Sequence, residues 1–176
     1  IVNRTPDSFY DKGATWVNDR DIGLSQKIGN AVFANSVAGD PTRAAVGFIG
    51  TTQTGNHEAP DFNGTWYAFL AHTYDGGDHW TTVNATPNAP VQREACIWNE
   101  GGANLCRNLL DFNEITIDEK GRVLYSYADG CVNECETGGP NSYSSKATIT
   151  RQSGGKGLLA QFDPVEPVVP QRACLA

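Results

Sequence analysis

Short apolar runs alternate with polar stretches rich in Gly, Asn, Asp and Pro along most of the chain. Runs of four to eight residues bounded by turn formers predict strands rather than helices. Residues 31–38 predict a first strand, closed by Gly39-Asp40-Pro41. Residues 44–49 predict a second, and the polar stretch 50–63 a long loop. Residues 66–72 predict a third strand and residues 80–83 a fourth. The order then repeats. Residues 84–107 form a long connection, and strands are predicted at 109–117, 122–128, 146–151 and 158–162. Asp118-Glu119-Lys120-Gly121 is a tight turn, and residues 129–143 are a second long loop. The pattern predicts an all-β chain of two consecutive four-stranded antiparallel meanders.

The sharpest local signal is Thr73-Tyr74-Asp75-Gly76-Gly77-Asp78-His79-Trp80, between the third and fourth strands. Asp75 can accept hydrogen bonds from the amides of its own turn. Gly76 and Gly77 supply positive φ without a steric cost. Trp80 can fold back onto the sheet with its indole N–H on a backbone carbonyl. A second copy, with Asp11, Gly13 and Trp16 in register, carries Phe9 where Thr73 stands. A decayed echo follows near residues 153–158, with Ser153 for the Asp and Leu158 for the Trp.

This pattern resembles the Asp-box, or BNR repeat, of sialidase-like β-propellers. The stretches 107–131 and 147–155 are similar to a secreted, exo-α-sialidase-like subgroup. The resemblance implies a β-propeller of four-stranded antiparallel blades over residues 1–163, with a blade end at 1–17 and blades at 31–83 and 108–162. Residues 164–176 are a Pro-rich tail, extended or polyproline-like. About two and a half blades cannot close a propeller. The remaining blades are therefore expected from further sequence or from another chain. The absence of methionine fits a processed product or a piece of a longer protein.

Charge narrows the partners. The net charge is −7, which argues against nucleic acid and anionic membrane. No apolar run approaches the roughly 18 residues of a membrane span. Of five cysteines, Cys96 with Cys106 and Cys131 with Cys135 lie close together in Gly/Asn-rich loops. Local pairs of this kind predict disulfides and a secreted or cell-surface location. Cys174 stands alone and is a candidate for a disulfide to another chain. Asn3, Asn63 and Asn84 each open an N-glycosylation sequon. No cofactor is expected. Calcium among the acidic loops is the one metal worth weighing, although no EF-hand spacing is present.

In a meander of this kind the short turns share one end and the long connections the other. The Asp-box residues Asp11, Gly13, Trp16, Thr73, Asp75, Gly77 and Trp80 are therefore expected to staple turns, away from a ligand. Long loops on a rigid scaffold are where binding residues accumulate. The candidate ligand residues there are His57, Glu58, Asp61, Glu94, Trp98, Glu100, Arg107, Asp129 and Glu134, with Glu136 beside them. Trp98 could stack on a sugar. Arg107 could hold an anion, or pair with Asp111. Glu94 and Glu100 could serve as the two carboxylates of glycoside hydrolysis.

Two functions follow. One is a non-catalytic module that binds glycan or protein, or assembles with other subunits, through the disulfide-braced loops. The other is a sialidase-like glycoside hydrolase. Sialidases mark their first substrate arginine with Arg-Ile-Pro, which does not occur here, so no catalytic residue carries over from the resemblance.

Overall fold

A computed structural model describes residues 2–4 and 17–164. The Asp-box copy at residues 11–16, Cys174 and the proline-rich run from residue 165 lie outside the described residues. Strand β1 (Val2–Arg4) pairs antiparallel with β2 (Val17–Arg20). Strands β3 (Asn30–Ala38), β4 (Ala44–Thr51), β5 (Tyr67–Thr73) and β6 (Thr81–Asn84) form a four-stranded antiparallel meander. Strands β7 (Glu114–Ile117), β8 (Val123–Asp129) and β9 (Lys146–Arg151) form a three-stranded one. In both sheets the spatial order is the chain order, as hairpin-length and loop connections dictate. The protein is all-β among the described residues, apart from short 3-10 turns.

Side-chain alternation explains why β4 and β5 are buried almost throughout. Ala45, Ile49, Ala68 and Leu70 enter the main core, with Val123, Tyr125 and Tyr127 of β8 opposite. Val46, Phe48, Phe69 and Ala71 face the other way into a smaller core, covered by Ile22, Ile28, Tyr67 and Trp80. Gly47 is what lets the two sheets approach. A Cβ built there would lie 2.7 Å from the Tyr125 ring. Neighbouring edges also touch, since Asn35 Nδ2 of β3 donates to the Asn113 carbonyl just before β7 at 2.9 Å. The main core continues past the sheets into the loops through Trp66, Val91, Ile97, Leu109 and the Cys96–Cys106 disulfide.

Two expectations are corrected. Residues 158–162 do not form a fourth strand beside β9; Ala160–Phe162 is a 3-10 turn. The first sheet pulls this segment across. Asp40 N–H donates to the Leu158 carbonyl at 2.9 Å, and Asp40 Oδ2 accepts from Ala160 N–H at 2.6 Å. Arg43 clamps Asp163 with two 2.7 Å bonds and also donates to the Gly157 carbonyl. Leu158 is fully buried by this docking. The seventh strand also starts at Glu114 rather than at residue 109. The chain turns before it, with Leu110 at φ 56° and Asn108 Nδ2 donating to both Gln92 Oε1 and the Ser144 carbonyl.

Candidate functional site

The turn at residues 73–80 closes as its residue types require. Gly76 and Gly77 sit at φ 73° and 93°. Thr73 Oγ1 donates to Asp75 Oδ1 at 3.0 Å and accepts the Gly77 N–H at 2.9 Å. Asp75 Oδ1 also accepts from the His79 N–H at 3.0 Å, and Oδ2 lies 2.7 Å from His79 Nδ1. These bonds, the His79 amide first and its imidazole next, hold the Asp75 carboxyl down at about 2. Trp80 Nε1 donates to the Gly77 carbonyl at 3.2 Å. The Gly76 N–H reaches the Thr42 carbonyl in the β3–β4 turn at 2.8 Å, so both short turns share one end. Asp75 is engaged within its own turn, through Thr73 and His79.

At the other end three long loops are laced together. Trp66 is fully buried and its Nε1 donates to the Ala95 carbonyl at 2.8 Å. The Gly130 N–H donates to the Val91 carbonyl, and Arg93 Nε donates to the Cys135 carbonyl at 3.0 Å. Both expected disulfides, Cys96–Cys106 and Cys131–Cys135, are formed within the chain. The layer is a braced network rather than a set of free loops.

Five of the nine expected ligand residues make contacts within that bracing. His57 stands edge-on to Trp66 with ring centres 6.1 Å apart, and its Nε2 lies 3.0 Å from Asn99 Nδ2. Glu58 Oε1 accepts from the Asn99 N–H at 3.1 Å. Trp98 is half-buried and its Nε1 donates to the Gly101 carbonyl. Arg107 does not meet Asp111; its Nε donates to the Glu100 carbonyl at 2.9 Å. Asp129 Oδ1 accepts from the Cys131 N–H at 3.0 Å, while burial pushes its carboxyl above the usual range against that bond. Asp61, Glu94, Glu100 and Glu134 are exposed. The structure thus joins His57 and Glu58 to one loop through Asn99 and Arg107 to the Glu100 carbonyl. Clefts of about 230 to 520 Å³ open elsewhere, lined by other residues.

One of those clefts has the lining that suits a ligand. It is a groove of about 370 Å³ at the loop end of the first sheet. Gln26, Gln53, Asn63, Thr65, Tyr67 and Asn84 line it, with Thr51, Thr52 and Phe69. No charged side chain takes part. Each element delivers its residues for a local reason. Gln26 lies on a 3-10 turn whose Nε2 is fastened to the Thr82 carbonyl at 2.9 Å, leaving its amide oxygen over. Asn84 Oδ1 accepts from the Thr86 N–H at 2.9 Å, leaving its Nδ2 over. Among the described residues the side-chain amides of Gln53 and Asn63 make no hydrogen bond within the chain. Tyr67, half-buried against Phe48 and Phe69, supplies an aromatic ring. The sequence signal was present only as scattered Thr, Asn and Gln in four separate segments.

No group of three or more His, Cys, Asp or Glu side chains is placed to hold a metal ion among the described residues. No helix there is long and apolar enough to cross a membrane. Compared with family models, curated proteins and solved structures, the chain matches none.

Proposed function

We propose that this chain is an extracellular, non-catalytic glycan-binding module, built as part of a sialidase-like β-propeller. The neutral groove carries the reading. Amide and hydroxyl groups with spare hydrogen-bonding capacity, beside one aromatic ring and no charge, are what a neutral sugar needs. Sugar hydroxyls pair with the amides, and the apolar face of the ring packs on Tyr67. A formal charge in the groove would have to be desolvated against a neutral ligand at a cost.

Two features support the propeller part. Two antiparallel meanders follow one another with their first strands, β3 and β7, side by side, and the turn at residues 73–80 has the hydrogen bonds of a stapled Asp-box turn. The two disulfides fit an oxidising compartment. The Arg-Ile-Pro that marks the first substrate arginine of sialidases does not occur in the chain, so the resemblance lends no catalytic residue to the hydrolase.

The test is an array of immobilised neutral oligosaccharides, probed with protein lacking N-glycans, because Asn63 and Asn84 both open sequons and both line the groove. Tyr67→Ala and Gln53→Ala should each lose the bound glycans while keeping both disulfides. Binding unchanged in both variants would remove the groove from the account. Release of free sugar from any array member would reinstate the hydrolase.

A further inference from the structure

The outer edge of β9 lacks the strand expected to cover it. The segment at residues 158–162 is diverted to the first sheet by Asp40 and Arg43, so the second sheet stops at three strands where the first has four. The phase of the edge follows from its pairing. Gln152 N–H donates to the Val123 carbonyl at 2.8 Å, and the register runs without a shift from Arg151 opposite Leu124 to Lys146 opposite Asp129. Alternation in an antiparallel ladder then turns the N–H and C=O of residues 146, 148 and 150 toward β8. Those of Ala147, Ile149 and Arg151 point outward, and among the described residues they have no partner. Nothing in the strand blocks addition, since residues 146–151 contain no proline and no bulge.

The surroundings narrow what can add. On the sheet face that carries Ile149 lies a mostly apolar hollow of about 390 Å³, lined by Ser126 and Ala128 of β8 as well as Phe112, Ala147 and Ile149. Phe112 is 79% exposed and Ile149 67%. The strand is basic at both ends, Lys146 and Arg151, in a chain whose net charge is −7. Lys146 has Asp129 opposite it on β8; Arg151 has only Leu124. A second copy adding antiparallel would bring one basic end against the other, which opposes self-pairing.

We propose that the outer edge of β9 accepts, as a fourth strand, an extended segment of a partner protein that carries a carboxylate near each end and an apolar residue between them. Main-chain bonds at Ala147, Ile149 and Arg151 hold the segment. Its apolar side chain packs on Ile149, on the face that holds the hollow, and the carboxylates meet Lys146 and Arg151. This is strand addition, in which the backbone supplies affinity and alternate side chains supply selection.

The experiment uses the full chain with its disulfides intact and an end-capped synthetic peptide, Asp-Thr-Val-Thr-Val-Glu, whose valines lie opposite Ile149 and Ala147 when it adds antiparallel with its ends at Arg151 and Lys146, at concentrations on the order of millimolar. Hydrogen exchange read by NMR should slow at least about tenfold at Ala147, Ile149 and Arg151 on saturation, with little change at Thr148 and Thr150, whose amides are already bonded to β8. Ile149→Pro removes one outward N–H without touching a bond to β8, and should abolish this protection, whereas Ile149→Thr should keep it. Should Ile149→Pro unfold, the same peptide N-methylated at both valines makes the test on the unaltered protein, and it should fail to protect. A basic peptide, Lys-Thr-Val-Thr-Val-Lys, should bind at least about tenfold more weakly at low salt. The proposal is overturned by unchanged exchange at the three outward amides, by equal binding of the N-methylated peptide, or by equal binding of the basic one. It is overturned too if sedimentation shows the free protein already dimeric and Ile149→Pro makes it monomeric.

Discussion

Tyr125→Phe should stabilise the protein. Tyr125 is fully buried where β8 meets β4, with its ring against Gly47, and its hydroxyl has no partner. A buried polar group without a hydrogen bond costs about 1–3 kcal/mol. Phenylalanine keeps the ring that fills the space above Gly47 and removes only the stranded oxygen. The gain should therefore be about 1 kcal/mol or more, less whatever contact the oxygen itself makes. For a chain of this size each kcal/mol raises Tm by about 2–4 °C. Urea unfolding and calorimetry at neutral pH with the disulfides intact give both numbers. Alkaline pH supplies a second readout. Burial pushes the Tyr125 phenol up from its ordinary range, and burial first, with Asp129 second, pushes Tyr127 up to about 12. Both phenols are held neutral in the fold while the unfolded chain ionises near pH 10. The stability this represents is whole below about pH 10 and is lost as the pH climbs through the folded values. Tyr125→Phe should flatten part of that alkaline decline and leave the Tyr127 part. A variant less stable than wild type by about 1 kcal/mol or more would mean the hydroxyl is satisfied and the reasoning fails.

Gly47→Ala should destabilise by about 1–3 kcal/mol in the same assay, because the new methyl meets the Tyr125 ring at 2.7 Å; combined with Tyr125→Ala, much of that loss should disappear. Replacing Cys96 and Cys106 together by alanine should cost about 2–3 kcal/mol from the ten-residue loop they close, and should loosen the Ala95 carbonyl that holds Trp66, read as raised exchange of the Trp66 indole N–H. Asp75 contributes stability that is present above its unfolded pKa near 4 and lost as the pH falls toward about 2; acid titration of Asp75→Asn should lack that portion of the wild-type decline, and identical profiles would contradict the turn's role. Leu158→Ala should lower stability by about 2–5 kcal/mol and free the segment after β9, seen as faster exchange of the Asp40 N–H that bonds the Leu158 carbonyl.

The first meander was legible almost residue for residue. Its strands alternate apolar runs with Gly, Asp and Pro punctuation, and its turn at residues 73–80 carries the hydrogen-bonding side chains within a few positions. The cysteine pairs were legible because both bonds close short loops. Residues 158–162 misled because Leu158, Leu159 and Phe162 read as a strand edge, while their placement depends on Asp40 and Arg43 some 120 positions away. Sequence pattern cannot weigh so distant a competitor. The ligand residues were chosen for charge in long loops, and some of that charge also bonds within the loops: Asp129 caps Cys131 and Glu58 holds Asn99. The groove escaped because its lining is uncharged and comes from four segments, so no spacing announces it.

The account stands or falls on whether a neutral sugar occupies that groove. The most direct measurement is an NMR titration of the glycan-free protein with a neutral oligosaccharide selected from the array, following the side-chain amide resonances of Gln26, Gln53, Asn63 and Asn84. Saturable shifts at these four, with transfer of saturation from the Tyr67 ring to the sugar, are the expected result. Shifts confined to His57, Trp98 and the 96–106 loop, with the four amides unmoved, would contradict it.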